Sequence, residues 1–568
     1  MLVHLIAIAA VTYAKCFEPN VAHPLPRYDA DDALLKHAFA EIDAAVLSAV
    51  SAPEYSSTSF SIEVTSSKQT LWSKYHTADE RNRSRPDIPE VNGDALYRIA
   101  SITKTFTVLG ILYQEKAGHL SLDDPVGKFI TELEEPQNGT LPWKDITLRS
   151  LASQLSGIPR EFAQGDIINA QLGVPDPITW GLPPVSRDGL IDCDEYSPGY
   201  DKPCNEGDLL NAVKSQIPVF APNQQSTYSN VAFELLGVVL ERVTGQDYRS
   251  YIENTIFKPL NMTKSTLFRP SDKAGVIPSG DHYWDVDEGI QSPTGGIYSS
   301  SKDLSKYLRY ILAKYNGLTH ALNWFNPVSP SRGSNSFYGI PWEIYHTDRV
   351  LQDSRRTVRF ITKGGGLPGY TSIIILAPEY DLGFTILVAG NRHLLLQLQN
   401  IVTSFIRSAE KLAIRQLQDH YAGTYASSDP SLNSSVTLVG DCRGLVVTEF
   451  ISNSSDLLRT GLISQWIPRD GFPQLIPTLL YRNAEDQTGE EWRLQPVDDR
   501  LHSGHEIWDD YCITDVDGPL YAAVPLNNVV FWNQDKDGSF KTLELSAFRV
   551  NLTRSLKNGP KEQENTEL

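Results

Sequence analysis

A serine followed three residues later by a lysine can carry out acyl transfer, and Ser101-Ile102-Thr103-Lys104 is such a pair. An acyl-transfer enzyme without a histidine base needs three things: a hydroxyl nucleophile, a cation or phenolate close enough to take its proton, and backbone N–H groups for the oxyanion. On a helix the two side chains share one face, roughly 5–6 Å apart at Cβ, so the lysine amine reaches the serine hydroxyl. The helix N-terminus adds a field that favours developing negative charge. Ser299 to Lys302 and Ser408 to Lys411 repeat the spacing, so spacing alone does not single out a site. The setting of Ser101 does. The segment ITKTFTVLGILYQEKAG that follows is apolar on nearly all sides and is stopped by Gly118, which predicts a central helix with Lys104 buried in it. A buried lysine is unfavourable without partners, and burial depresses its pKa, as proton shuttling requires.

The elements that must hold this pair can be read from periodicity. Residues 31–50 have apolar positions at helical spacing behind an acidic start, and an alternating stretch from Phe60 to Trp72 predicts strands. Helices are expected at Asn230 to Thr244 and Ser301 to Lys314, and over a stretch from about Leu394 to Gln418. YTSIIILAP and GFTILVAG, joined by EYDL, read as a hairpin within a sheet. Residues 158–225 are rich in Gly, Pro and Asp and predict an insertion of surface loops and short helices. From His420 the pattern becomes short apolar or aromatic runs between turn residues, such as YAGTY, LVVTEF and VVFWNQDKDGSF. The expected organisation is a signal peptide over 1–14, a catalytic domain over 15–414, a β-rich domain over 415–556 and a disordered tail over 557–568. The expected fold class is α/β (α+β): an antiparallel sheet flanked by helices, followed by an all-β domain.

Five segments carry a resemblance. YRIASITKTFTVLGILYQEKAGHLSLDDPV, ITLRSLASQLSGIP, TYSNVAFELLG, SPTGGIYSSSKDLSKYL and KGGGLPGYTS resemble, in that order, the landmark segments of the serine β-lactamase and penicillin-binding-protein family, class C type. The agreement spans roughly residues 50–410 and implies the β-lactamase/transpeptidase-like fold. The family's Tyr-Xaa-Asn element is matched by Tyr228-Ser229-Asn230, and its Lys-Thr-Gly element by Lys363-Gly364-Gly365. The resemblance implies that Tyr228, alone or with Lys104, is the general base on Ser101, and that Asn230 holds Lys104 and the substrate's acyl chain. It implies that Lys363 pairs with Tyr228 or a substrate carboxylate, and that the N–H groups of Ser101 and Gly366 form the oxyanion hole. The glycine run, Gly365 included, suits close approach of substrate to backbone. Taken singly, each residue has a plainer reading: Tyr228 a core phenol, Asn230 a helix N-cap, Lys363 a solvated charge at a strand end. One departure stands out. Gly364 replaces a Thr or Ser whose hydroxyl commonly contacts a β-lactam carboxylate. The last domain is similar to the small lipocalin-like barrel or sandwich appended to secreted fungal β-lactamase-like hydrolases, which implies a lid or accessory role at most.

The implied function is a serine hydrolase acting on a small ester or amide, β-lactam-like ones included, without a cofactor, in a tailoring step of secondary metabolism. An acyltransferase of the same fold and a non-catalytic relative are the alternatives. Composition excludes other classes. With 69 acidic against 50 basic residues, a formal charge of −19 and no basic runs, nucleic acid is not an expected partner. The twelve histidines form no zinc-protease motif, His502 and His505 read as surface residues, and Gly-Xaa-Ser-Xaa-Gly does not occur. No metal is therefore expected. MLVHLIAIAAVTYA at the N-terminus is too short to span a bilayer and, despite lacking a Lys or Arg, reads as a secretory signal; a plain buried helix is the alternative. Export also fits six glycosylation sequons, at Asn82, Asn138, Asn261, Asn433, Asn453 and Asn551. Of five cysteines, Cys193 with Cys204 and Cys442 with Cys512 are the expected bridges, leaving Cys16; free thiols throughout are the alternative.

Overall fold

The computed structural model describes residues 22–134, 141–163, 177–186, 188–191, 193, 202–315, 323–354, 356–460, 463–465, 467, 471–498 and 518–555. The expected signal peptide, Cys16, Asn138, Cys512, His502, His505, the tail and part of the 158–225 insertion lie outside them. The chain divides into two compact units, Tyr28–Thr347 with Arg359–Phe405, and Met1–Arg27 with Asp348–Val358 and Ile406–Leu568.

The first unit is built on an eight-stranded sheet. Its strands are β1 (Ser59–Thr65), β2 (Thr70–His76), β5 (Ser329–Pro330), β6 (Ser336–Tyr338), β7 (Glu343–Thr347), β8 (Val358–Leu367), β9 (Tyr370–Ala377) and β10 (Leu382–Ala389), in the order β2-β1-β10-β9-β8-β7-β6-β5. The two strands β3 (Leu96–Arg98) and β4 (Tyr298–Ser300) pair separately. β9 and β10 form the expected antiparallel hairpin, turning through Pro378–Tyr380 and a left-handed Asp381. Every residue of β10 and all but one of β9 are at least nearly buried, so both faces of these strands are covered. That is why they read as continuous apolar runs and not as an alternation.

Helices supply the cover and the site. They are α1 (Ala33–Val50), α2 (Thr103–Lys116), α3 (Leu148–Ala152), α4 (Glu206–Ser215), α5 (Val231–Thr244), α6 (Tyr248–Ile252), α7 (Ser292–Gly295), α8 (Ser301–Lys314) and α9 (His393–Thr403). α8 packs on β1 and β10, and α9 on β10. In α2 every side chain from Thr103 to Leu112 is buried, as expected of a helix apolar on all sides. It is gripped by α5 and α7. The stretch expected as one helix from Leu394 to Gln418 is two, α9 and α10 (Ile406–Tyr421), broken at Ser404 and Phe405. Within 158–225, the described parts are one short turn, Pro177–Trp180, the helix α4 and coil, and Cys193 is bonded to Cys204.

The second unit contains α10 and the strands β11 (Gly423–Ala426), β12 (Ser435–Asp441), β13 (Gly444–Ser452), β14 (Ser455–Asp456), β15 (Gly471–Asn483), β16 (Thr488–Asp498), β17 (Leu520–Tyr521), β18 (Val524–Pro525), β19 (Asn528–Gln534), β20 (Phe540–Leu545) and β21 (Val550–Ser555). Because β12 pairs with both β11 and β13, the order β12-β11-β21-β20-β19-β16-β15-β13 closes on itself. Of the two forms expected, this is a barrel, and closure removes the exposed edges that a sandwich would keep. Tyr425, Trp492, Phe531 and Leu543 fill it. Cys442 at its rim is disulfide-bonded.

Gly237, in mid-α5, shows how tightly the first unit is closed around the site. A Cβ there would stand 2.2 Å from Cγ of Pro293 in α7. Helix propensity alone favours Gly237→Ala by about 1 kcal/mol, whereas overpacking costs about 1–3 kcal/mol. Packing should win. The variant is expected to unfold at lower urea concentration than the wild type; an equal or higher midpoint would show that α7 yields freely.

Candidate active site

Ser101 is delivered by an anchored strand. In β3, the Arg98 guanidinium is buried, donates to the carbonyl of Val286 (2.6 Å) and to the Tyr298 hydroxyl (2.8 Å), and pairs with Glu288. The chain then passes through Ala100 at φ 48°, a left-handed conformation that costs roughly 1–2 kcal/mol for a residue with a Cβ. Ser101 does not begin the helix, as the sequence suggested. It sits in a 3₁₀ turn, Ala100–Ile102, that runs into α2 at Thr103. The spacing still works. Lys104 Nζ donates to Ser101 Oγ at 3.2 Å.

Lys104 is wholly buried, and its ammonium has three donors to satisfy. The other two go to Asn230 Oδ1 at 2.7 Å and to the carbonyl of Thr294 in α7 at 3.0 Å. Tyr228 Oη is hydrogen-bonded to Ser101 Oγ at 2.9 Å, so the serine hydroxyl stands between phenol and ammonium. Ser101 itself is partly exposed.

Tyr228 and Asn230 are placed by a clamp. The backbone N–H of Thr227 donates to the Gln154 carbonyl (2.9 Å), that of Ser229 to Gln154 Oε1 (2.7 Å), and that of Asn230 to the Arg160 carbonyl (2.9 Å). Asn230 does occupy the N-cap position of α5, yet its side chain makes no capping bond. It accepts from Lys104 and donates to Glu161. Glu161 was not singled out from the sequence, because nothing in its local pattern separates it from any other acidic residue in a loop. Its carboxyl is mostly buried, with Oε2 unpartnered, and burial pushes its pKa up against the hydrogen bond from Asn230.

β8 brings the third element alongside. Gly365 faces Ser372 across the ladder, and an added Cβ would lie 2.2 Å from the Ile99 carbonyl, two residues ahead of Ser101. This glycine is needed because the strand and the Ala100–Ile102 turn meet backbone to backbone. Gly366 is exposed, and no described atom lies within 4 Å of where its Cβ would be. Lys363, expected to pair with Tyr228 or a substrate carboxylate, acts on the Tyr228 phenol through its charge, with no hydrogen bond between them among the described contacts. It is buried, lies 5.4 Å from the Tyr228 ring, and pairs with Glu343 of β7 at 2.6 Å. Glu343 is the second residue missed from sequence, since only the sheet order puts β7 beside β8.

Electrostatics poise the pair. Burial would raise the Tyr228 phenol, but the fields of Lys104 and Lys363 outweigh it and bring the pKa below the ordinary tyrosine value. Burial also lowers Lys104, helped by Lys363 and opposed by Tyr228. Burial would lower Lys363 too, but Glu343 and Tyr228 hold it above its ordinary value. Lys363 is therefore held as a cation, while Tyr228 and Lys104 both lose their protons more readily than an ordinary tyrosine or lysine.

The family profile described as Beta-lactamase matches residues 35–395, which hold every one of these groups. The chain belongs to that family. A second profile, described as "Beta-lactamase-like-like, C-terminal domain", matches residues 413–556. Similar relatives include the "Probable hydrolase M10" of Phoma sp., 34% identical over 95% of this chain and 91% of its own length. The "Probable hydrolase clz13" of Cochliobolus lunatus is 33% identical over 96% and 92%. The "Beta-lactamase-like protein" of Arthroderma benhamiae is 26% identical over 89% of each.

In this β-lactamase-family chain the other Ser-Xaa-Xaa-Lys pairs lack the constellation. Ser299 is buried against Ser265, while Lys302 is on the surface near Asp94, 3.5 Å away. Lys411 is exposed on α10, in the other unit. If Tyr228 and Lys104 share the base role, acylation of Ser101 should speed up as pH rises and their shared proton leaves, with a midpoint below about 10. Tyr228→Phe should slow it by at least about 10²-fold. Labelling rates with a fluorophosphonate between pH 5 and 10 check both; a flat profile would rule out this pair as the base.

Proposed function

We propose that the chain is a serine hydrolase that cleaves a small ester or amide through an acyl-enzyme on Ser101. One observation carries the reading: a partly exposed serine hydroxyl held at once by a buried lysine (3.2 Å) and a phenol of lowered pKa (2.9 Å). Oγ attacks the carbonyl carbon and its proton passes to the Tyr228–Lys104 pair. The N–H groups of Ser101 and Gly366 take the oxyanion, a role that the exposure of Gly366 beside the nucleophile turn supports. As the tetrahedral intermediate collapses, the pair returns the proton to the leaving alcohol or amine. Water then repeats the sequence on the acyl-enzyme, and the carboxylic acid departs. Asn230 keeps Lys104 aimed at Oγ. Glu161 in turn orients Asn230, because a donor bond on Nδ2 leaves Oδ1 facing the ammonium.

The test is covalent. A fluorophosphonate should add once per chain, and peptide mass spectrometry should place it on Ser101; Ser101→Ala should neither label nor turn over activated esters. A folded wild-type protein that does neither would leave a binding role as the better reading.

We also propose that the protein is exported. The described sequon residues Asn82, Asn261, Asn433, Asn453 and Asn551 are all exposed, and Cys193 and Cys204 are joined, both of which suit an oxidising, glycosylating route. Among the described residues, no helix is long and apolar enough to cross a membrane. Protein from a eukaryotic host should carry glycan on at least one of these asparagines by mass spectrometry; a wholly unmodified chain would overturn export.

A further inference from the structure

The end of β8 beside the nucleophile presents a charge of the opposite sign to the one its lysine suggests. Lys363 is sequestered: its side chain is 2% exposed, and its ammonium donates to Glu343 Oε1 at 2.6 Å and to the Gly364 carbonyl at 2.9 Å. The Glu343 side chain is 36% exposed, so a ligand entering here meets the carboxylate before the cation. Its second oxygen, Oε2, accepts the Gly364 N–H at 3.0 Å. One carboxylate thus occupies both the ammonium and a backbone donor that an incoming anion would use. Position 364 adds no hydroxyl, and a Cβ there would lie 3.6 Å from Oε2, in ordinary contact with it. Lys104 is buried and fully partnered within the site, while Arg160, stacked over the Tyr228 ring at 4.7 Å and 64% exposed, is 3.3 Å from the Glu161 carboxylate.

We propose that Glu343 selects substrates by charge, admitting neutral or cationic esters and amides and turning away those with a carboxylate beside the scissile bond. The proposal rests on the acyl-enzyme reading of Ser101 and names the substrate class for that site. It also gives Gly364 a physical reason. A free Lys363 with a neighbouring hydroxyl would form an anion receptor, whereas Lys363 neutralised by Glu343 beside a bare backbone is a receptor for neutral or positive groups.

The experiment is a matched series of three activated esters of one size, bearing a trimethylammonium, a tert-butyl or a carboxylate group near the carbonyl. Wild-type kcat/KM is expected to be on the order of tenfold lower for the anion than for the neutral ester, within the range that like-sign fields in clefts produce. Glu343→Gln should narrow or invert that ratio, chiefly through KM. Raising salt to about 1 M should narrow it in the wild type as well, because a partly exposed carboxylate is screened. Equal wild-type rates on all three esters, or a preference that ignores salt, would overturn the proposal. So would a Glu343→Gln variant that lowers all three rates by one factor, since that is the signature of mere support for Lys363. Labelling of wild-type Ser101 by a neutral fluorophosphonate reports separately on the acyl-enzyme reading, so the two failures are distinguishable.

Discussion

The constraint on which the site depends is the burial of the Lys104 ammonium. A charge taken out of water is tolerated only where every donor finds an acceptor, and Lys104 finds three in three different elements. Ser101 lies in the turn before α2, Asn230 at the start of α5, and the Thr294 carbonyl in α7. Satisfying this one cation therefore fixes how those segments meet. The clamp from Gln154 to Arg160, the anchor at Arg98 and the contact of Gly237 with Pro293 all hold the pieces of that junction in place.

A second cation makes the first one useful. Lys363 lies far from Tyr228 and Lys104 in sequence, yet its field reaches both. Two positive charges near one phenol outweigh the burial that would otherwise keep it protonated. Two carboxylates then moderate the cluster: Glu343 keeps Lys363 charged, and Glu161 turns Asn230 toward Lys104. The chemistry thus belongs to the group as a whole, and no member has the same properties alone.

The glycines of KGGG serve different ends at successive positions. Gly365 permits backbone contact with Ile99, Gly366 has no described atom within 4 Å of where a Cβ would be, and Gly364 donates its N–H to the Glu343 carboxylate without adding a hydroxyl. Gly365 thereby lets a central strand lie directly against the turn that carries Ser101, which a residue with a side chain there could not do.

Much was legible in the chain alone. The apolar run after Ser101 predicted a buried helix around a lysine, the β-branched runs predicted the hairpin of β9 and β10, and alternating short runs after His420 predicted an all-β domain. These signals are local periodicities, set by which faces an element must bury. The order of the motifs likewise marked Ser101, Lys104, Tyr228, Asn230 and Lys363. What local pattern cannot carry is the pairing of residues far apart in sequence. Glu343 is 20 residues from Lys363 and Glu161 is 69 from Asn230, and nothing but the sheet order and the clamp brings them together. Barrel closure depends in the same way on β12 meeting both β11 and β13. The residue types and the burial of one lysine thus determined which chemistry was available. Tertiary structure decided which carboxylates sit beside the two lysines, and so the charge the site presents, because electrostatic fields depend on distance in space and not along the chain.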